Sequence, residues 1–146
     1  MAFEFDPAKP AHARDLARLA SEEVAWFGTI GRDGFPHAVP IWFLWRDGRA
    51  LIMSEPHTAK VKNLSENERA LFHLEAGDDG EQVLMLRGLA TISPQPSTAW
   101  LDTISEEYTA KYGEWMQRLD LTTATMAERY SCLIEFTPLK AVTWSG

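Results

Sequence analysis

The 146-residue chain has a single cysteine, Cys132, so no disulfide can form within it and nothing calls for an oxidising compartment. No hydrophobic run approaches the length of a membrane-spanning helix. The first ten residues include Glu4, Asp6 and Lys9 and contain no signal-peptide core. We therefore expect a cytoplasmic protein without a membrane partner.

The chain also has few positive charges. Its 14 Lys and Arg residues against 21 Asp and Glu residues give a net charge of −7. Because nucleic-acid-binding surfaces are basic, we expect no nucleic-acid partner, although one local basic site for an anion remains open. The four histidines lack metal-ligand spacing and no glycine-rich phosphate loop is present. The sequence therefore predicts no metal site, and it leaves the catalytic residues unknown.

What the chain does contain is a series of short strands separated by tight turns, over one domain spanning residues 1–146. Strands are predicted over 24–30, 36–45, 50–54, 69–76, 82–93, 131–137 and 140–144, with Pro138 between the last two. Helices are predicted over 12–23 and 58–67. Two more lie within 97–129 and are divided near either 112–113 or 119–122. This order is typical of a mainly β, α+β fold built on an antiparallel barrel with a helical insertion before the last strands.

The second predicted strand is apolar on both of its faces. One face carries His37, Val39 and Ile41, and the other carries Ala38, Pro40 and Trp42. Both faces therefore need a cover, which could come from a second subunit, a bound cofactor or the helices of the same chain. Pro40 cannot donate to a sheet ladder, so it predicts a sheet edge or a bulge.

The segment after the third strand has the strongest local chemistry. Pro56 ends the strand, and Thr58 is a good N-cap for a helix whose first amides are free. Lys60 and Asn63 are three residues apart and share a helix face. An ammonium, an amide and a hydroxyl beside free helix amides suit a phosphate group. A solvated helix with incidental lysines is the competing interpretation.

Several of these motifs, in this order, resemble one family. Residues 33–43 resemble the second strand of the pyridoxamine phosphate oxidase-like split barrels, and residues 58–64 resemble their phosphate-binding helix. Residues 86–92 are similar to their long strand and 136–144 to their closing strand. Lys111-Tyr112 resembles a Lys-Tyr element of the family. The resemblance implies a six- to seven-stranded antiparallel split β-barrel with an N-terminal helix.

Within that family, the chain looks most like the flavin/deazaflavin-dependent oxidoreductases. This resemblance implies a homodimer with the cofactor at the subunit interface and hydride transfer between coenzyme F-420 and a small conjugated substrate. An FMN-dependent oxidoreductase of the same fold and a non-catalytic carrier of a cofactor or haem are the alternatives. The cofactor-binding residues implied are Lys60, Asn63 and Thr58 at the phosphate, and Pro40, Ile41, Trp42, Met53 and Ser54 around the ring.

The aromatic residues of the helical insertion keep two interpretations. They could line a substrate pocket and set specificity, or they could belong to the core, and the sequence does not separate these roles. The residues concerned are Trp100, Tyr108, Tyr112 and Trp115.

Overall fold

The computed structural model describes residues 2–145, with four α-helices and seven strands in that range. In chain order they are α1 (Pro10–Ser21), β1 (Ala25–Ile30), β2 (Pro36–Ile41), β3 (Leu44–Arg46), β4 (Arg49–Ser54), α2 (Ala59–Glu66), β5 (Arg69–Leu74), β6 (Gln82–Ile92), α3 (Leu101–Arg118), α4 (Thr123–Arg129) and β7 (Cys132–Ser145). A short 3₁₀ turn, Ser97–Trp100, precedes α3. None of the described helices is long and apolar enough to cross a bilayer.

All seven strands form one antiparallel sheet in the order β2-β1-β5-β6-β7-β4-β3. The strands β2 and β3 form the two ends of the sheet although they are consecutive in the chain. A short connection can join them because the sheet curls. The predicted split barrel, with its N-terminal helix and its helical insertion before the last strand, is confirmed. The insertion divides at the second of the two predicted positions, between α3 and α4.

Two apolar clusters hold the chain together. The larger one lies inside the curl of the sheet, where alternate strand residues such as Phe27, Phe72 and Phe136 are fully buried. The second cluster packs the insertion helices against β3, β4 and β7. Its members are Leu44, Leu51, Ile104, Tyr108, Tyr112, Met116, Met126 and Leu133. The insertion helices α3 and α4 of the same chain therefore cover a part of the sheet that lies outside the larger cluster.

The predicted second strand, 36–45, is wrong as one continuous element. The structure has β2 and β3 in its place, with Trp42 and Phe43 between them. The backbone N–H of Phe43 donates a hydrogen bond to the Tyr112 hydroxyl at 2.9 Å. Phe43 therefore lies outside the hydrogen-bonded ladder of the sheet. Pro40 lies on the edge strand β2, where its missing N–H costs no ladder hydrogen bond.

The predicted division of the last strand at Pro138 is also wrong, because β7 runs unbroken from Cys132 to Ser145. Pro138 pairs with Gly88 where the register between β6 and β7 shifts. A side chain at position 88 would lie 2.9 Å from the Cα of Pro138. The strands stay paired there because glycine lets the two backbones approach closely.

Candidate functional site

A cleft of about 290 Å³ opens between one end of the curled sheet and the helical insertion. Its strand wall consists of Pro40, Ile41, Trp42, Met53, Ser54, Glu55, Thr58 and Lys60. Its helical wall consists of Tyr108, Leu119, Leu121, Met126 and Tyr130. Seven of the predicted cofactor-binding residues lie in the strand wall, and Asn63 lies outside the cleft.

Lys60 is the cation of the strand wall. It is half-buried, and its ammonium group pairs with no acceptor among residues 2–145. Burial lowers the pKa of Lys60, while the Glu55 carboxylate nearby and the Cys132 thiol act in the opposite direction. A partly desolvated, unpaired ammonium beside a cleft is suited to an anionic ligand, because the ligand would restore the interactions lost on burial.

Thr58 occupies the predicted N-cap position of α2 and has the extended backbone of a cap. Its hydroxyl accepts no hydrogen bond from the first amides of α2, and it lies 3.1 Å from Ser54 Oγ and 3.4 Å from the carbonyl oxygen of Glu55. The first amides of α2 consequently have no side-chain cap, and such a helix start favours a bound anion.

Asn63 is placed differently from the prediction. Its side-chain amide donates to Thr29 Oγ1 on β1 at 3.0 Å. Since Leu64 beside it is buried, this face of α2 packs against the sheet. Asn63 thus fixes the helix that carries Lys60, and it does not border the cleft.

The Lys-Tyr element of α3 joins the two walls. Trp42 stacks on Tyr112 with ring centroids 4.5 Å apart and an interplanar angle of 7°. The Tyr112 hydroxyl donates to the carbonyl oxygen of Glu23 at 2.6 Å, and the Lys111 ammonium donates to that of Phe43 at 2.9 Å. We call Lys111 and Tyr112 the clamp, because they bind the chain before β1 and the break after β2 to α3.

The clamp lysine is itself poorly solvated. Burial lowers the pKa of Lys111 to about 8, with Glu23 and Glu22 opposing the shift. Its ammonium lies 3.6 Å from the centroid of the Phe43 ring, a cation–π contact that compensates for part of the lost hydration.

The structure separates the four aromatic residues that the sequence left undecided. Tyr108 lines the cleft, and Tyr112 belongs to the clamp. Trp100 donates to Ser93 Oγ at 3.2 Å away from the cleft, and Trp115 is exposed. Sequence reasoning missed Leu119, Leu121, Met126 and Tyr130, since ordinary helix and loop residues carry no motif that marks a pocket.

A second concave surface lies on the outer face of the sheet. This outer groove measures about 550 Å³ and is lined mainly by β1, β2, β5, β6 and β7. Leu89 and Leu139 are 39% and 43% exposed there. His37 also lines this groove rather than the cleft, and its Nδ1 is enclosed without a partner among the described residues. His57 is exposed outside both surfaces.

Within residues 2–145, no three His, Cys, Asp or Glu side chains group as ligands of a metal ion. The Cys132 thiol is half-buried, and burial raises its pKa, with Lys60 opposing the shift. A thiol held protonated is a weak nucleophile. What the cleft offers is the Lys60 ammonium with the Glu55 carboxylate near it, a flat aromatic surface and an apolar wall, an arrangement suited to binding and orienting a ligand.

The model of the family described as pyridoxamine 5'-phosphate oxidase matches residues 11–145. No curated protein matches the chain significantly.

Among solved structures, the conserved hypothetical protein Rv2991 from Mycobacterium tuberculosis is similar, with 22% identity and a TM-score of 0.69, over 91% of this chain and 83% of that one. An F-420 reductase has 21% identity and a TM-score of 0.62, over 86% and 94%. HutZ, the haem storage protein from Vibrio cholerae, has 13% identity and a TM-score of 0.68, over 90% and 93%. At these identities the likenesses establish the fold alone.

Proposed function

Because the chain belongs to the pyridoxamine 5'-phosphate oxidase family, we propose that its cleft binds the deazaflavin coenzyme F-420 and that the protein is an oxidoreductase. In this proposal a hydride passes between the cofactor and a small conjugated organic substrate. The observation that carries the proposal is the half-buried ammonium of Lys60, which pairs with no acceptor among residues 2–145 and lies with Ser54, Glu55 and Thr58 in a cleft whose other surfaces are aromatic and apolar.

The residues of the strand wall fit a flat cofactor with a phosphorylated tail. Lys60 and the first amides of α2 would hold the phosphate, with Thr58 beside them. Pro40, Ile41 and Trp42 would border the ring, and Met53 and Ser54 would complete the same surface, as the family resemblance implies. The stacking of Trp42 on Tyr112 fixes its orientation before any ligand binds.

The bound cofactor supplies the hydride chemistry, and the protein supplies binding, orientation and a dry pocket. The apolar residues of the helical wall exclude water from the reacting face. Asn63 acts indirectly, by holding α2 and therefore Lys60 in position.

We further propose that the protein works as a homodimer. At about 290 Å³ the cleft of one chain lies near the lower limit of ordinary ligand pockets, which is about 300 Å³. A tricyclic cofactor with a substrate beside it needs more enclosure than that. The outer groove exposes Leu89 and Leu139, and a second copy seated there would bury them. Because β2 contributes Ala38 to the groove and Pro40 to the cleft, that copy would lie beside the cleft.

Two alternatives remain as outcomes of the test. FMN also joins a flat tricyclic ring to a phosphate, so the contacts at Lys60 would serve it equally. Carriage of haem is the weaker alternative in this cleft. Histidine is a frequent haem ligand, and none of the described histidines lines the cleft.

The direct test is to titrate the purified protein with F-420 and with FMN, following the absorbance and fluorescence of each cofactor. We expect F-420 to bind more tightly, and reduced F-420 to be reoxidised when a conjugated acceptor is added. Tight binding of FMN without binding of reduced F-420 would assign the protein to FMN. Binding of either cofactor without turnover of any acceptor would indicate a carrier protein.

Lys60→Ala tests the site within the same titration. Loss of a charge-assisted hydrogen bond should weaken cofactor binding by ~1.5–3 kcal/mol, which is about tenfold to a hundredfold. Lys62→Ala is the matched control, because this exposed lysine lies on the same helix outside the cleft. If both variants bind the cofactor as tightly as the parent, Lys60 does not belong to the site.

A further inference from the structure

Tyr108 and Tyr112 lie one helical turn apart on α3, and their rings are in contact with centroids 4.9 Å apart. The Tyr112 hydroxyl is fully occupied by the backbone of Glu23 and Phe43. Among residues 2–145 the Tyr108 hydroxyl has no hydrogen-bond partner, although Tyr108 as a whole is only 3% exposed. A buried tyrosine ordinarily finds a partner for its hydroxyl, so this group requires an explanation.

The position of Tyr108 explains why its hydroxyl has no partner, because this side chain lines the cleft. The carboxylate oxygens of Asp15 and Nδ1 of His37 are fully enclosed by protein, but the Tyr108 hydroxyl is not. This hydroxyl therefore opens into the cleft. The ring cannot easily turn away, since it packs against Tyr112, which the clamp holds in place. An unpartnered donor is thus held in a fixed position and directed at whatever occupies the cleft.

The residues around this hydroxyl indicate the polarity of the ligand group that would fit beside it. Leu119, Leu121 and Met126 make the helical wall apolar, and no charged side chain belongs to this wall. Tyr130, the other polar side chain of the wall, also has no partner for its hydroxyl among the described residues. Within this wall a charged group would find no side chain of opposite charge, whereas a neutral oxygen would find a hydroxyl donor.

We propose that the Tyr108 hydroxyl donates a hydrogen bond to a carbonyl oxygen of the substrate, which is a neutral, planar conjugated ketone or quinone. This inference rests on the proposed function, because it places the substrate against the helical wall while the cofactor occupies the strand wall. Tyr108 is then a specificity-determining residue of the cleft.

The chemistry of hydride transfer gives this contact a role in the reaction. The hydride brings two electrons and one hydrogen to a carbon conjugated with the carbonyl group, and the displaced π pair moves onto the carbonyl oxygen. The cofactor is oxidised, and water supplies the proton that completes the reduction. A donor at the oxygen stabilises the charge that gathers there. Burial, with Tyr130 adding to it, raises the pKa of Tyr108, so the phenol stays protonated.

The test compares two probes of the same carbon skeleton. Duroquinone has two carbonyl oxygens and no free ring carbon that could react with Cys132, and durene is the hydrocarbon without the oxygens. Calorimetric titrations of the full-length protein with each probe are compared for the parent and for Tyr108→Phe. We expect the substitution to weaken duroquinone binding about fivefold, the contribution of one neutral hydrogen bond. Binding of durene should stay unchanged.

Three results would overturn the inference. They are equal duroquinone affinity in parent and variant, an equal loss for durene, which would indicate altered packing, and no binding of duroquinone by the parent. The cofactor titration is made on the same two proteins, and Tyr108→Phe should bind the cofactor as the parent does. If neither F-420 nor FMN binds the parent, the proposed function fails, and the quinone titration still reports separately on Tyr108.

Discussion

The two walls of the cleft differ in origin and in what holds them. The strand wall comes from the ends of β2 and β4 and from the start of α2, so the hydrogen-bonded sheet positions most of it. The helical wall comes from α3, α4, the loop between them and Tyr130 directly after α4, and side-chain contacts position it. The difference indicates that the hydrogen-bonded sheet holds the end of the cleft that carries Lys60, whereas the end formed by the helical insertion depends on a few side-chain contacts.

The clamp carries most of that dependence. The Tyr112 hydroxyl and the Lys111 ammonium both meet the backbone of Phe43, at the break between β2 and β3. The same break presents Trp42 to the cleft. Damage to the clamp should therefore affect the helical wall first, and the following predictions test this from the largest expected effect to the smallest.

The largest effect should come from Tyr112→Phe. The substitution leaves the N–H of Phe43 and the carbonyl oxygen of Glu23 without their partner in a buried place. We expect the free energy of unfolding to fall by about 3 kcal/mol. The matched control, Tyr108→Phe on the same helix, removes a hydroxyl that has no partner among residues 2–145 and should change the free energy of unfolding by less than about 0.5 kcal/mol. Urea denaturation of both variants measures this, and equal losses would show that the clamp does not hold the walls together.

The second effect is a dependence of stability on pH that comes from Lys111. Its pKa is about 8 in the folded protein and near its usual 10.5 in the unfolded chain. Below about pH 8 both states carry the proton, and the cost of burying the charge is fully present. Between the two pKa values the unfolded chain binds more protons, so the contribution of this group to stability rises with pH.

Urea denaturation at about pH 7 and about pH 9.5 should therefore show the parent gaining stability relative to Lys111→Met across the alkaline range. Lys60, whose pKa is also lowered by burial, is present in both proteins and cancels in the difference. Parallel pH profiles would mean that Lys111 keeps an ordinary pKa in the folded protein.

The smallest effect concerns the ion pair at the rim of the cleft. Glu55 Oε1 lies 3.3 Å from Arg129 Nε and links the end of α4 to the strand wall. The side chains are 47% and 63% exposed, so Glu55→Gln should lower stability by less than about 1 kcal/mol. The same carboxylate opposes the binding of an anion at Lys60, so the variant should bind FMN about twofold more tightly at low salt.

That gain should disappear at high salt, where exposed charges are screened. Glu66→Gln is the control, because Glu66 pairs with Arg32 outside the cleft and its loss should leave FMN affinity unchanged. Weaker FMN binding in Glu55→Gln would show that the carboxylate itself takes part in holding the ligand.

The strand wall was predictable from the sequence because its residues follow one another in short segments. Pro40, Ile41 and Trp42 are adjacent in the chain, and Thr58 and Lys60 follow a strand directly, so local order places them on one surface. Asn63 was misplaced because helical spacing alone does not say which neighbour the shared face meets. The hydroxyl of Thr29 on β1, 34 residues away in the chain, accepts from its amide.

The sequence by itself determined β1, β4, β5 and β6, the N-terminal helix, the insertion and the helix start that carries Lys60, because each depends on local periodicity, turn residues and caps. Only the tertiary structure decided that β2 breaks at Trp42, that Tyr112 is occupied and Tyr108 is free, and that a loop and two helices close the cleft. These are long-range contacts, and a hydroxyl shows its role only when the atoms around it are in place.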